Sequence, residues 1–518
     1  MNQLFLRKSV ADCENDIAER GGLKRTLTKW HLTALGVGAT IGAGIFATTG
    51  TAIVGDSLRP GAGPAIIISF LLTAVACGFA ALCYAEFAAM VPISGSAYTY
   101  AYASLGEFVA WIIGWDLIIE YAVGNIGVAI GWSGHFRELL SHFGLSLPAW
   151  LATDYRSASL AVEAVAGGAT DALNVYLATA QTAAPTLFGL PVIINLPAAL
   201  VVLLITVVLV IGVRESANSN NVMVILKIAI ILFFITVGIF LIKPENWNNA
   251  ATGGFAPNGF KGISAAAAII FFSYIGFDAV STVAEEAKSP AKDMPFGIIM
   301  SLLICTVLYI ALSAVMTGMA PWQNLGTAEP MITALSFADG PPKLIAVSRF
   351  IIALGAVIAM GSVLLVFQMG QPRIFFSMAR DGLLPPFIAK VHPKYKTPYV
   401  GTIITGVFVA SFAAFANIAE VVDLTNIGTL FAFVLVSLGV IILRYKEPDR
   451  VRPFRVPWVP WTPLISIVAC IYLMLQLPKL TWMRFGWWLV AGLVIYFLYG
   501  IRHSRLRRQA EARNATKG

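Results

Sequence analysis

The chain has 518 residues, 58% of them hydrophobic and 12% charged, with a net charge of +8 and a mean hydropathy of +0.79. A soluble domain is roughly one-quarter charged, so this composition excludes an ordinary soluble protein and indicates an integral membrane one. The positive charge does not point to nucleic acid, because the basic residues flank apolar runs and form no patch of their own.

A span needs about 20 apolar residues. Twelve are expected, at roughly 32–54, 64–90, 107–138, 192–213, 222–242, 262–285, 296–319, 344–370, 398–418, 422–444, 461–478 and 485–501. Residues 1–30 form a mixed-charge segment with no apolar signal region, so the first span acts as a retained signal-anchor. With the N-terminus inside, the inside segments hold most of the lysines and arginines, from Lys24, Arg25 and Lys29 to Arg505, Arg507 and Arg508. Positive charge marks the cytoplasmic side, which places both termini in the cytoplasm of a multi-pass protein of the cell (plasma, or inner) membrane.

Span one contains "GATIGAGIF" (38–46). Glycine is about 1 kcal/mol worse than alanine inside a helix, so Gly38, Gly42 and Gly44 need a reason. Ala34, Gly38 and Gly42 fit a small-residue packing ridge, but Gly44 faces elsewhere. The alternative is a break at which freed N–H and C=O groups line a cavity. Span three carries Asp116 and Glu120 one turn apart on one face, close enough to share a proton. Glu120 is either a protonated structural hydrogen-bonder or part of the substrate or proton path. Residues 141–191 form an outer loop in which 159–180 reads as one amphipathic surface helix, either docked or a partner-binding element.

Span five carries Lys227, about 9 Å deep at 1.5 Å per residue. An ionisable group at depth costs at least about 2.5 kcal/mol. The lysine either snorkels to the surface or reaches the unwound part of span one in place of a coupling sodium and exchanges a proton during the cycle. Span six has its own weak point, "FFSYIGFD" (271–278). Phe272, Tyr274 and Phe277 are packing residues or a gate over a ligand, while Asp278 braces the second half of the span. Breaks in spans one and six are what a five-plus-five inverted repeat of the LeuT type places at its binding site. The positive end of one half-helix meets an anion, and unwound carbonyls meet a cation. An amino acid offers both charges about 3 Å apart, near hydrogen-bond length. The proline-rich line 446–461 is a seam between the ten-span core (31–445) and an appended pair (446–501). The basic tail 502–518 serves the positive-inside rule and touches anionic lipid.

Five stretches, "GVGATIGAGIF" (36–46), "YAEFAAMVPISGSAYTYAYASLGE" (84–107), "GWDLIIEYAVG" (114–124), "FFSYIGFDAVSTVAEEAKSPAKDMPFGI" (271–298) and "GQPRIFFSMARDGLLP" (370–385), resemble the amino acid–polyamine–organocation superfamily, more narrowly bacterial members of its cationic amino acid transporter branch. The resemblance covers about residues 25–500. It implies an all-α integral membrane protein with a LeuT-type fold of about twelve transmembrane helices, the first and sixth broken, and two C-terminal helices added. It implies that the Ala43 and Gly44 amides bind a substrate carboxylate beside Gly42, and that the carbonyls of Thr40, Phe272, Ser273 and Ile275 hold the ammonium. Family members often carry threonine where this chain has Ala43. The resemblance associates Lys227 with proton coupling and puts Met360 in the substrate pocket. No acid is evident near Met360 to greet a cationic side chain, so a neutral amino acid is expected.

The expected function is therefore proton-coupled uptake of a neutral L-amino acid by alternating access. Cationic amino acid uptake and amino acid exchange are alternatives, as is a non-transporting sensor. An enzyme is not expected, because His135, the histidine well inside a span, has no sequence-local partner. No cofactor is expected, nor a metal, since the five cysteines and five histidines show no ligand spacing. ATP does not drive the protein directly, for want of a Gly-rich Lys-Ser/Thr loop. The partners are a small-molecule amino acid, a proton and membrane lipid, with no nucleic acid. Oligomeric state stays open, a monomer being sufficient.

Overall fold

The computed structural model describes residues 6–7, 25–90, 96–167, 172–212 and 217–515. Cys13, Arg214 and most of the N-terminal segment fall outside them. Nine helices among the described residues are long and apolar enough to cross a membrane, and three shorter ones are apolar. In chain order they are α1 (Lys29–Val54), α2 (Gly63–Met90), α3 (Glu107–Ser141), α4 (Leu196–Ile211), α5 (Ala217–Ile239), α6 (Gly259–Ala284), α7 (Pro290–Met319), α8 (Pro342–Arg380), α9 (Tyr399–Phe415), α10 (Ile418–Lys446), α11 (Trp461–Leu475) and α12 (Lys479–Ile495). The protein is an all-α multi-pass membrane protein, and these helices match the twelve expected apolar segments.

Several ends follow from local chemistry. Asn195 caps α4 by accepting from the Ala198 amide, and Asn417 caps α10 by accepting from Ala419. Proline sits in the first turn of α4, α7 and α8, where its missing N–H costs nothing. Helix α8 runs ten residues past its expected end at 370, through Pro372 to Arg380. The most extensive helix contacts join α2 to α7, α1 to α7, α3 to α8 and α4 to α9, and α1 also meets α6 along both its halves. Each of α1 to α4 thus packs on the helix five places later, and α1 packs on α7 as well.

Two outer features differ from the sequence reading. The single helix expected over 159–180 is a pair, Tyr155–Ala166 and Ala172–Ala183. The first ends at Gly167, and residues 168–171 lie outside those described. The two pack together over Ala149, Ala158, Ala180 and Ile193, with Asp154 as the N-cap of the first. A two-stranded hairpin, Thr186–Leu187 with Leu190–Pro191, follows.

The basic tail is not wholly a lipid-facing extension. After α12 the chain passes through a wide turn, Tyr496–Gly500, to a last helix, Arg505–Ala515. Arg507 donates Nε–H to Glu107 Oε1 at 2.7 Å, and Glu107 is fully buried at the start of α3. The same carboxylate accepts from Tyr102 (3.1 Å), Tyr496 (3.0 Å) and Ser504. The Arg505 amide donates to the Asp381 carbonyl just past α8. The seam at 446–461 is tied down in the same manner, because Glu86 of α2 takes a two-pronged contact from Arg444 (2.9 and 2.7 Å) and one from the Val456 amide (2.7 Å). Breaking a buried pair by removing one partner costs about 3–5 kcal/mol. Glu107→Ala is therefore expected to lower the unfolding temperature of the purified protein markedly. Arg508→Ala, one residue along and exposed, should leave it unchanged.

Candidate functional site

Helix α1 is interrupted where the glycines predicted. Its first part stops at Thr40, and Ile41 turns extended (φ −75°, ψ 98°). The second part begins with a wide turn at Gly44–Thr48. Carbonyls released by such a break must be satisfied in place, since no water reaches a hydrocarbon layer. Lys227 Nζ donates to the Gly38 carbonyl at 2.5 Å and the Ile41 carbonyl at 3.1 Å. Tyr309 of α7 donates its hydroxyl to the Thr40 carbonyl at 3.1 Å. Lys227 is 1% exposed, so it does not snorkel.

Helix α6 is interrupted at the same level. Phe271–Tyr274 tighten to a three-residue turn, Ile275 is extended (φ −61°, ψ 132°), and Gly276 has φ +121°. A Cβ on Gly276 would stand 2.8 Å from the Ala39 carbonyl carbon, and one on Gly44 would stand 2.3 Å from Ser273 Cα. Glycine is required at both positions because the two broken segments touch backbone to backbone. Asn426 of α10 donates to the Ala268 carbonyl (2.8 Å) and the Ile269 carbonyl (3.3 Å) just before the second break.

The residues expected to bind substrate are brought together. A Cβ on Gly42 would meet Val363 of α8 at 2.9 Å. Helix α3 passes close by with glycines, so that a Cβ on Gly131 would lie 3.2 Å from Ala43 and 3.4 Å from Met360 Sδ, and one on Gly127 would lie 3.4 Å from Phe272. Ser273 pairs with Gly44, and Ile275 adjoins Gly276 against α1. Thr40 and Ser273 are buried, and their hydroxyls have no hydrogen-bond partner among the described residues. The three aromatic gate candidates separate. Tyr274 donates to the Phe70 carbonyl (3.0 Å) and packs on Phe70 and Tyr309. Phe277 packs between Tyr84 and Phe433. Phe272 faces α3 beside the break.

Glu120 lies in a wide turn of α3, Ile119–Val123, and faces Asp278 of α6 and Thr429 of α10. Its main partner across the core is thus Asp278, where the sequence suggested Asp116, whose Oδ1 instead lies against α10 at Gly428. Asp278 Oδ1 accepts from the Gly276 amide at 3.3 Å, bracing the second half of α6. Glu120 Oε2 and Asp278 Oδ2 are buried without a hydrogen-bond partner meeting ordinary geometry.

Tyr309 and Asn426 were not singled out from the sequence. Asn426 had a usable signal, an amide side chain in an apolar span, as did Asn125 and Gln368, which bond each other at 2.6 Å between α3 and α8. Tyr309 had none. The packing at Gly276 predicts that Gly276→Ala will cost well over about 1 kcal/mol, read as a fall in unfolding temperature. Gly78→Ala in α2, where an added Cβ meets nothing within 4 Å, should hold or raise it.

Comparison with known proteins gives a consistent picture. The sequence pattern of the family "Amino acid permease" matches residues 27–498. The chain is 45% identical to the methylthioribose transporter of Bacillus subtilis (strain 168), over 98% of this chain and 100% of that protein. It is also 45% identical to the branched-chain amino acid permease BcaP of the same organism, over 98% and 99%. With the vacuolar cationic amino acid transporter 4 of Arabidopsis thaliana it shares 37% identity, over 87% of this chain and 68% of the relative.

Proposed function

Since this chain belongs to the amino acid permease family, we propose that it carries a neutral L-amino acid together with a proton by alternating access, its termini in the cytoplasm. The observation that carries this reading is the Lys227 ammonium seated on the Gly38 and Ile41 carbonyls of the broken helix. In its protonated form the side chain holds the unwound segment in place. A lysine can also release a proton, and a neutral amine offers fewer donors to the same carbonyls. Proton loss from Lys227 thereby loosens the joint between the halves of α1, and the enclosed Glu120–Asp278 pair is a second group that takes part in the proton path.

The substrate carboxylate sits at the head of the second half of α1, on the Ala43 and Gly44 amides, where the half-helix dipole favours negative charge. The ammonium takes the carbonyls of Phe272, Ser273 and Ile275, with Thr40 as a shared acceptor, since a carbonyl with one donor from Tyr309 keeps a second lone pair. The side chain meets Met360, Val363 and Phe272, an apolar set that favours a small or branched aliphatic group. The relative named as a methylthioribose transporter raises a second reading. Methylthioribose has neither carboxylate nor ammonium, so it would leave the exposed half-helix end without its anion. The zwitterion is the better match.

Uptake of alanine, leucine, arginine and methylthioribose into sodium-free proteoliposomes tests the reading. For one proton per neutral substrate, a gradient of one pH unit, worth about 1.4 kcal/mol, supports about tenfold accumulation. Alanine or leucine should accumulate with the gradient, and Lys227→Met should abolish the stimulation. Retained stimulation in that variant removes Lys227 from coupling. Preference for arginine or methylthioribose overturns the substrate class.

A further inference from the structure

The first half of α1, Lys29–Thr40, is about 18 Å long at 1.5 Å per residue. Lys227 holds its end at the break. Its other end is tied by backbone. The Thr26 and Leu27 amides donate to the Glu286 carbonyl at 2.9 and 3.0 Å, and the Lys288 amide donates to the Leu27 carbonyl at 2.8 Å. The segment before α1 thus pairs with the link between α6 and α7, Leu27 lying parallel to Ala287. Trp30 meets the Phe296 ring of α7 edge-on, with centroids 5.2 Å apart. Thr28 stands between these ties and the first turn, so its cap decides how firmly the half-helix is joined to them.

That cap is made by a histidine. A capping box has Ser or Thr at the N-cap and Glu or Gln three residues on, whose side chain reaches back to the N-cap amide. Here Thr28 is the N-cap and His31 takes the third place. His31 Nδ1 accepts from the Thr28 amide at 3.2 Å and lies 2.9 Å from the Thr28 hydroxyl. An amide N–H only donates, so Nδ1 carries no hydrogen in this arrangement and the proton of the neutral ring is on Nε2. A second proton closes that lone pair. The imidazolium can then give Nδ1–H to the hydroxyl, but the Thr28 amide loses its acceptor. Its charge also enters a first turn where the helix dipole disfavours a cation and where α1 carries no acid. The charged groups on the segments around it are Arg25 and Lys29 on its own, Glu286 just past α6, and Lys288, Lys292 and Asp293 around the start of α7. Lys29 lies over the Phe296 ring at 4.8 Å, and Asp293 accepts from the Ser289 amide at 3.0 Å. His31 is half-buried, so the solvent on that side sets its charge.

We propose that His31 is a pH-sensitive clasp on the first half of α1. Neutral, it fastens the half-helix to the link between α6 and α7; protonated, it lets the first turn go. Histidine changes charge between about pH 5 and 8, so the clasp is shut at the alkaline end of that range and open at the acid end. With the termini in the cytoplasm, the pH it reads is the internal one. Each turnover of a proton-coupled permease delivers a proton to that side. A half-helix that has let go of its seat returns to it less often, so uptake slows as the interior acidifies. The inference rests on the reading of the chain as a proton-coupled permease with cytoplasmic termini, and it is separate from Lys227, which acts at the other end of the same half-helix.

Hydrogen exchange of the purified full chain in lipid nanodiscs, followed over residues 26–33 and corrected for the intrinsic pH dependence of exchange, tests the clasp independently of transport. From about pH 7.5 to about pH 5.5 this segment should exchange about fivefold faster, the fold-change of one ordinary helix cap. His31→Gln supplies the usual capping-box acceptor, which does not titrate, and should exchange slowly at both. His31→Ala should exchange fast at both. Uptake of the best-transported neutral amino acid is then measured in proteoliposomes with the pH gradient fixed and the internal pH lowered. The unaltered chain should slow several-fold more than His31→Gln. Equal exchange of these two at the acid pH, or an equal response of their uptake to internal pH, overturns the inference and leaves the permease reading standing. Absence of gradient-driven uptake by the unaltered chain overturns the proton-coupled reading instead, and with it the role of the clasp in transport.

Discussion

A peptide group that leaves its helix inside a hydrocarbon layer must find a partner in the protein, because water is not there to provide one. Much of this molecule is arranged around meeting that demand at two places. Lys227 from α5, Tyr309 from α7 and Asn426 from α10 each donate to carbonyls at or beside the breaks. The contact of Gly44 with Ser273, and of Gly276 with Ala39, brings the two unwound stretches against each other. The opened backbone is thereby held by three surrounding helices, which keeps its polar groups aimed inward at low conformational cost to a ligand.

The bundle's charges obey a second economy. Acids at the helix ends are paired with arginines that arrive from far along the chain: Glu86 with Arg444, Glu107 with Arg507, Asp423 with Arg59, Glu329 with Arg137. These pairs join elements that the apolar surfaces alone would let slide. The acids at the centre, Glu120 and Asp278, have no such cation among their described contacts. The contrast separates charge paired with a cation from charge enclosed without one.

What could be read from the sequence was local. The twelve apolar runs, the glycines at both breaks and the lone lysine in α5 each stand out within a window of some twenty residues, the length of a span. The facing of Glu120 with Asp278 could not be read in this way, since it depends on how α3 and α6 rotate against each other. The i, i+4 spacing pointed instead to Asp116, which turns toward α10. Tyr309 is one aromatic among many in apolar helices. The outer loop misled because its period-3.6 pattern continues across Gly167–Gly168, a point where the chain stops one helix and later starts another. The tail looked like a lipid-facing run because Arg507 differs from its basic neighbours only in what lies across from it.

Glu107 belongs to the third helix to be made, and Arg507 lies 400 residues later. During synthesis the acid waits beside Tyr102 while the remaining helices enter the membrane, and only a chain that has reached Arg507 can neutralise it. A product cut short after α12 keeps every membrane segment yet carries an uncompensated carboxylate in a dry setting. A chain that includes Arg507 therefore differs from one that stops after α12 by one electrostatic lock, which ties the start of α3 to the segment beyond the last span.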